Sequence, residues 1–235
     1  GNNPDMIVFL SRLPTILLAL LLGWFIYRWT SELAGKLAGL GALLLYAGDP
    51  NIIAHSHYVT NDIGLAALVF TATYYFVRFL HHPTAKNLII AGIVLGLALV
   101  TKFSAVVLWP LYGFIALVHA AAVTSSKTTA AANSWWFFGR RIAAAIGKYG
   151  TIVAISAIVI WIVYALNTRT MPPEKIVNLA NASLSDQGAS HAARQIIATI
   201  SAWPMFKPLA AYILGVFMVH DRIQWGSTVY FLGSV

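Results

Sequence analysis

Long unbroken apolar runs are the feature of this sequence that most limits how the chain can fold. Six of them occupy residues 14–30, 33–48, 63–80, 88–101, 103–123 and 149–167. A helix needs about 20 apolar residues, with a range of about 17–25, to cross a bilayer, and it satisfies its own backbone hydrogen bonds there. The runs are continuous, which argues against the alternating strands of a membrane barrel. The sequence therefore predicts an all-α, polytopic membrane protein with about six spans, of which 88–101 is short.

The composition supports this class and restricts the partners. Apolar residues make up 59% of the chain and charged residues only 9%, with a mean hydropathy of +0.76, whereas soluble domains carry about 25% charged residues. The net charge of +8 comes from basic links between the runs, which is typical of membrane topology. We therefore expect no nucleic-acid partner. The absence of cysteine excludes disulfides and thiolate metal sites.

The basic links predict how the chain is oriented in the membrane. They lie around Arg28 and Lys36, around Arg78 and Lys86, and across residues 127–148. Basic links favour the cytoplasmic face. The link 49–61 has no Lys or Arg and is predicted to lie outside.

The chain becomes polar after Leu166, and this change predicts that it is divided into two structural regions. Residues 1–168 form a transmembrane core, and residues 169–235 form an extracytoplasmic segment of short helices on the outer membrane surface. Two apolar helical faces are expected there, one from Ile176, Leu179, Ala180 and Leu184 and one from Ile196, Ile197 and Ile200. Because the chain starts without methionine and ends in "YFLGSV", we expect a fragment of a longer protein, incomplete at both ends.

The outer link "NIIAHSHYVTNDIG" concentrates polar groups between two apolar runs. Asn61 and Asp62 either cap the helix that starts near Ile63 or place a carboxylate in a water-filled cavity. In a loop, His55 and His57 could share a metal with Asp62 as third ligand. They could equally bond water and headgroups, or bind a phosphate or sugar. The sequence alone leaves these alternatives open.

Lys102 lies in the predicted turn "VTKFS" between the fourth and fifth runs. A lysine at membrane depth is costly unless water or an anion meets it, although its long stem also allows the amine to reach the interface. We expect the Lys102 amine and the Asp62 carboxylate to meet in one wet pocket near the outer face.

Three stretches resemble the dolichyl-phosphate-mannose-protein mannosyltransferase family, glycosyltransferase family 39. They are Arg12-x-Pro14, the segment from Pro50 to Asp62, and "AGIVLGLALVTKFS", and the resemblance covers residues 10–112. Bacterial aminoarabinose lipid A transferases are relatives of this family. The tail "HDRIQWGSTVYFLG" is similar, less specifically, to a segment of bacterial relatives.

The resemblance implies a GT-C-type helical bundle with extracytoplasmic interfacial helices. It implies transfer of a sugar, with inversion, from a polyprenyl-phosphate donor to a hydroxyl of a protein, lipid or glycan acceptor at the outer face of a cell membrane, here a bacterial plasma membrane. Asp62 matches the second acidic position of the family and is the expected catalytic residue of this chain. The expected substrate-binding residues are Arg12, His55, His57, Asn61, Lys102, His220 and Asp221, with Arg12 and Lys102 on the phosphate.

The family's principal catalytic acid lies in the first outer loop, and this chain begins after that loop, so we expect these residues alone to be inactive. No cofactor is expected, and the family does not generally demand a divalent metal. Two other functions remain open: a transporter or flippase of lipid-linked sugars, and a non-catalytic membrane scaffold.

Overall fold

A computed structural model describes residues 3–126, 134–186 and 188–225. Its helices are α1 (Pro4–Ala34), α2 (Lys36–Gly48), α3 (Pro50–His57), α4 (Asp62–His81), α5 (Ala85–Thr101), a 3₁₀ helix (Phe103–Val107), α6 (Leu108–Ser126), α7 (Ser134–Asn167), α8 (Pro173–Ser183), α9 (Gly188–Ser201) and α10 (Lys207–Trp225). Within the described ranges every regular element is a helix. This confirms the predicted all-α class.

Several of these helices have the length and apolarity of membrane spans. In the described part of the chain they are Pro4–Ala34, Asp62–His81, Phe103–Val123 and Phe138–Asn167. The pair α2–α3, which bends by 62°, forms a fifth candidate. Helix α5 is apolar but has only 17 residues. The chain is therefore a multi-pass membrane protein, and the count of six spans stays a prediction.

Helix α1 starts earlier than its apolar run indicated. Asn3 caps it by accepting the Asp5 N–H at 3.0 Å, and Pro4 occupies the first turn. Pro14, the first residue of that apolar run, lies inside the helix instead. The cap at Asn3 and the apolar residues that follow it extend the helix past the expected start. Membrane helices tolerate an internal proline because neighbouring groups satisfy the freed carbonyl.

The chain separates into two compact units, Gly1–Ser156 and Ala157–Val235. We call them unit 1 and unit 2. The boundary falls inside α7, whereas the predicted one at residue 168 marks where the sequence becomes polar. The predicted division into a membrane core and a surface segment stays a prediction.

Unit 1 is organised around α1 and α4, which run in the same direction. A Cβ on Gly64 would lie 3.4 Å from the Leu18 side chain at one end, and Glu32 contacts Arg78 at the other. Helix α2 returns along α1 at close range, because a Cβ at Gly39 would lie 2.8 Å from the Tyr27 carbonyl oxygen. Helices α4 and α5 form an antiparallel hairpin, which brings the start of α4 beside the end of α5.

Unit 2 packs α8, α9 and α10 around a small apolar core. Its buried members are Ile176, Ala180, Leu184, Ala193, Ile197, Ala210 and Leu214. Two of the predicted face residues point outwards, Leu179 at 42% and Ile196 at 50% exposure. Residues 176, 180 and 184 follow the four-residue spacing of one helix face, from which Leu179 is rotated. Placement of these helices on the membrane surface stays a prediction.

Candidate functional site

Asp62 is the first residue of α4, and its carboxylate lies in the first helical turn. Negative charge is favourable there because the free N–H groups give that helix end a positive potential. Asn61 is the N-cap residue, but its side chain makes no capping bond. Its amide instead donates to the Thr101 carbonyl oxygen at 3.3 Å and links α4 to the end of α5. Asn61 therefore joins the two helices instead of capping α4, and the Asp62 carboxylate beside it remains available to other partners.

Lys102 is the residue on which α5 ends, in extended backbone before the 3₁₀ helix. Its amine donates to Asp62 Oδ1 at 2.9 Å. The two side chains are 42% and 46% exposed. The two groups therefore meet, as expected, at an exposed position, and a wet pocket near the outer face stays a prediction. Their roles in catalysis and binding stay predictions.

His55 and His57 lie on a helix rather than in a loop. Asp49 caps this helix, α3, by accepting the N–H groups of Asn51 and Ile52 at 2.8 and 3.1 Å. Side chains two residues apart on a helix do not face each other, so the two rings diverge. His55 Nδ1 lies 4.0 Å from Asp62 Oδ2, and His57 Nδ1 lies 2.7 Å from the Ile53 carbonyl oxygen.

The three-ligand metal alternative required both histidines to converge on Asp62, and their positions on α3 do not bring them together. Within the described ranges, no group of three or more His, Asp or Glu side chains is placed to hold a metal ion. The expectation of a loop was wrong because Asp49-Pro50 is a helix-start signal. We call Asn61, Asp62, Lys102 and His55 together the Asp62 site.

Arg12 lies on α1 and is exposed. It precedes Leu18 by six residues, or about 9 Å along the helix, and Leu18 lies at the level of Gly64. Arg12 is therefore at the same end of unit 1 as the Asp62 site. Among the described residues no hydrogen bond or ion pair holds it, and its contact with phosphate stays a prediction.

His220 and Asp221 belong to unit 2, where two serines hydrogen-bond to the Asp221 carboxylate. Its carboxylate is buried and accepts the Ser185 N–H at 2.7 Å and the Ser190 hydroxyl. The Ser190 hydrogen bond, followed by that of Ser185, holds the pKa of Asp221 below its usual value despite burial. His220 pairs with Gln224 at 3.0 Å. Substrate binding by these two residues stays a prediction.

The α1–α3 groove is an apolar cavity of about 650 Å³ between α1, α2 and α3. Leu20, Trp24 and Leu43 are among its walls, and Ser56 and His57 bring polar atoms to it from α3. Tyr46 also lines it and donates its hydroxyl to the Ala19 carbonyl oxygen at 2.8 Å. Since α3 carries both His57 and His55, one helix connects this groove to the Asp62 site.

A second polar cluster, which the sequence analysis did not identify, lies at the other end of unit 1. Glu32 accepts from the Tyr74 hydroxyl at 2.9 Å, from Arg28 Nε at 3.1 Å and from an Arg78 guanidinium nitrogen at 3.3 Å. We call these four residues the Glu32 cluster. The signals were Glu32 in the short link between two apolar runs and the four-residue spacings Arg28–Glu32 and Tyr74–Arg78.

Comparison with known protein families matches residues 8–138 to the dolichyl-phosphate-mannose-protein mannosyltransferase family. The match spans more than half of the chain. This chain belongs to that family. The matched range contains the whole Asp62 site, and membership implies a membrane glycosyltransferase that uses a lipid-linked sugar donor. No curated protein and no solved structure gives a significant match to the chain.

Proposed function

We propose that this mannosyltransferase-family protein transfers a sugar from a polyprenyl-phosphate donor to an acceptor hydroxyl, with inversion, at the outer face of a bacterial plasma membrane. We further propose that it is a glycosyltransferase of family 39, related to the aminoarabinose lipid A transferases. The observation that carries the proposal is the Asp62–Lys102 ion pair, which lies within the family-matched range and remains accessible.

The proposed reaction needs a carboxylate and a cation close together at the Asp62 site. The acceptor oxygen attacks the anomeric carbon and loses its proton to a carboxylate base, while the bond from that carbon to the phosphate oxygen breaks. The leaving polyprenyl phosphate gains negative charge, which a cation held in advance stabilises. A lysine amine has three donors, and Asp62 uses one of those on Lys102. The others are available to phosphate oxygens.

Asp62 supplies the negative charge that faces the sugar hydroxyls. Its Oδ1 accepts from Lys102, and its Oδ2 lies 4.0 Å from His55 Nδ1, beyond hydrogen-bond distance. We propose that this carboxylate accepts a hydrogen bond from a hydroxyl of the donor sugar or the acceptor. Arg12 lies at the same end of unit 1 and would add a bidentate phosphate contact.

The α1–α3 groove suits the lipid part of such a donor. A polyprenyl tail needs apolar walls within the bilayer, and its phosphate needs a polar exit. The groove provides about 650 Å³, within the roughly 300–1,000 Å³ of ligand sites. Its polar atoms come from Ser56 and His57 on α3. Helix α3 thus spans the proposed path from the tail to the charged site.

The test uses the full-length protein in vesicles with a polyprenyl-phosphate-linked sugar and an acceptor peptide. Asp62→Asn and Lys102→Ala should each lower transfer about a hundredfold or more. Asp5→Asn and Lys86→Ala change the same residue types at exposed helix starts and should leave transfer unchanged.

Full transfer by both site variants, at normal expression, would remove the site assignment. A wild-type protein that moves the lipid across the bilayer without forming a glycosidic product would be a flippase instead.

A further inference from the structure

A second cavity lies between α4, α6 and α7, and the proposed transfer reaction does not use it. Its volume is about 230 Å³. The residues that matter for its chemistry are Phe76 and Phe79 on α4, His119 on α6, and Arg141, Ala145 and Lys148 on α7. We call it the basic cavity. All of these residues belong to unit 1.

Small residues create the space, and two cations border it. Arg141 and Lys148 are seven residues apart on α7 and so lie on one face, two turns or about 10 Å apart. Ala144 and Ala145 lie between them on that face, and Ala116 lies opposite on α6. Phe76 and Phe79 are buried and close the α4 side. The result is an apolar cleft with a positive charge at each end of one wall.

The cavity lies at the end of unit 1 opposite to the Asp62 site. Phe79 is 17 residues after Asp62 on the continuous helix α4, which corresponds to about 25 Å. The hydrocarbon core of a bilayer is about 30 Å thick. The basic cavity is thus at the depth of the other membrane interface, where phospholipid headgroups are located.

Both cations are available to a ligand. Arg141 and Lys148 are exposed. Arg141 donates to the Val123 carbonyl oxygen at 3.5 Å, which leaves most of its five donors free. The His119 ring adds a further polar edge and contacts His81 with the ring centroids 5.5 Å apart. Positive side chains beside an apolar cleft complement a molecule that has a phosphate and a hydrocarbon chain.

We propose that the basic cavity binds an anionic phospholipid of the bilayer, with its phosphate on Arg141 and Lys148 and a segment of one acyl chain between α6 and α7. Basic cavities between membrane helices bind anionic headgroups in this way. The volume is smaller than that of most enclosed ligand sites, so it takes part of one chain and leaves the rest of the lipid in the bilayer. The inference is independent of the transfer reaction.

The test counts lipids on the full chain by native mass spectrometry after extraction from vesicles with equal amounts of phosphatidylglycerol and phosphatidylcholine. The wild-type chain should retain phosphatidylglycerol preferentially. The double variant Arg141→Gln/Lys148→Gln should reduce this preference by about fivefold for each cation, or about 25-fold together. Lys36→Gln/Lys86→Gln removes the same charge from the starts of α2 and α5 and should keep the wild-type preference.

A second pair of variants separates the cavity from surface charge. Ala145→Leu fills the cleft without changing charge and should lower phosphatidylglycerol retention. Ala143→Leu adds the same bulk at an exposed α7 position outside the cavity and should not. Loss in the charge variant without loss in Ala145→Leu would mean attraction to surface charge alone and would overturn the proposal.

Two outcomes on the wild-type chain also decide the question, whatever the folding of the variants. Equal retention of the two lipids would refute the site. Displacement of phosphatidylglycerol by glycerol 3-phosphate as readily as by added phosphatidylglycerol would show a free-phosphate site with no role for the acyl chain, and would also refute it.

Discussion

The Asp62 site and the Glu32 cluster are ion-paired clusters at opposite ends of unit 1, and their exposure is nearly the same. Side-chain exposure is 46% for Asp62 and 42% for Glu32. Their partners differ. Glu32 accepts from a tyrosine and two arginines, whereas one oxygen of Asp62 accepts from Lys102 and the other lies 4.0 Å from His55.

Exposure therefore does not distinguish the two clusters, but the number of occupied acceptor positions does. A carboxylate has about four acceptor positions. Glu32 uses them to hold α1 and α4 together, and Tyr74, whose ring is buried, also accepts from Arg78 at 2.6 Å. Asp62 retains capacity that a substrate hydroxyl can use. We therefore propose a structural role for the Glu32 cluster and a chemical role for the Asp62 site.

The largest effect is expected from exchanging the two charges of the Asp62 site, which tests whether this ion pair has only a structural role. The double variant Asp62→Lys/Lys102→Asp preserves an ion pair between the same positions, although a cation then occupies the first turn of α4. We expect a folded protein whose sugar transfer remains about a hundredfold or more below wild type, because the charges have moved relative to the substrate. Transfer assays beside size-exclusion chromatography measure both properties. Recovery of transfer would show that the pair has only a structural role.

Removing the carboxylate charge from the Glu32 cluster should affect stability instead. Glu32→Gln weakens the hydrogen bonds from three residues and leaves two arginines without their counter-charge. After discounting for exposure of nearly one half, we expect a loss of about 1–3 kcal/mol in the free energy of unfolding. Transfer by the folded fraction should be normal. Denaturant titration with a parallel assay measures both, and a stable but inactive variant would reverse our two assignments.

Asp221 in unit 2 offers a third carboxylate for comparison, one that is buried and has a hydrogen bond on each oxygen. Its folded-state pKa lies below the usual 3.8, so its stabilising effect is complete above pH 3.8 and is lost as the pH falls through the lowered value. Asp221→Asn should cost about 1–2 kcal/mol at neutral pH and flatten the stability profile on the acid side.

Thermal unfolding measured across acidic pH tests this prediction. Glu174→Gln, at an exposed carboxylate of the same unit, is the control and should change little. An acid profile of Asp221→Asn identical to that of wild type would contradict the expected role.

The smallest expected effect comes from removing a single hydrogen-bond donor of the Glu32 cluster. Tyr74→Phe keeps the ring packing and removes the hydroxyl that contacts Glu32 and Arg78. We expect a loss of about 1 kcal/mol in unfolding free energy. Tyr75→Phe at the next position provides the control, with a smaller change. Equal effects from both variants would mean that the Tyr74 hydroxyl contributes little to the clamp.

Part of the Asp62 site was predictable because the apolar runs alternate across the membrane. Asp62 begins one run and Lys102 follows another of opposite direction, so both ends fall at the same face of the bilayer. The helical state of His55 and His57 was not predicted, although its signal was present in Asp49-Pro50. The side-chain oxygen of Asp49 stabilises the helix start locally. The polar residues of the segment nevertheless led to the expectation of a loop.

The amino-acid sequence is enough to show that the chain is helical, that it crosses a membrane several times, and that most of its charges lie at the ends of the spans. These properties follow from local hydrophobicity, because each helix in lipid satisfies its own backbone. The contacts of the Glu32 cluster, in contrast, are visible only in the folded chain. Glu32 reaches Tyr74 over 42 positions, and such contacts depend on how each helix is rotated about its axis. That rotation comes from packing at close approaches such as Gly39 against Tyr27, which no single apolar run reveals.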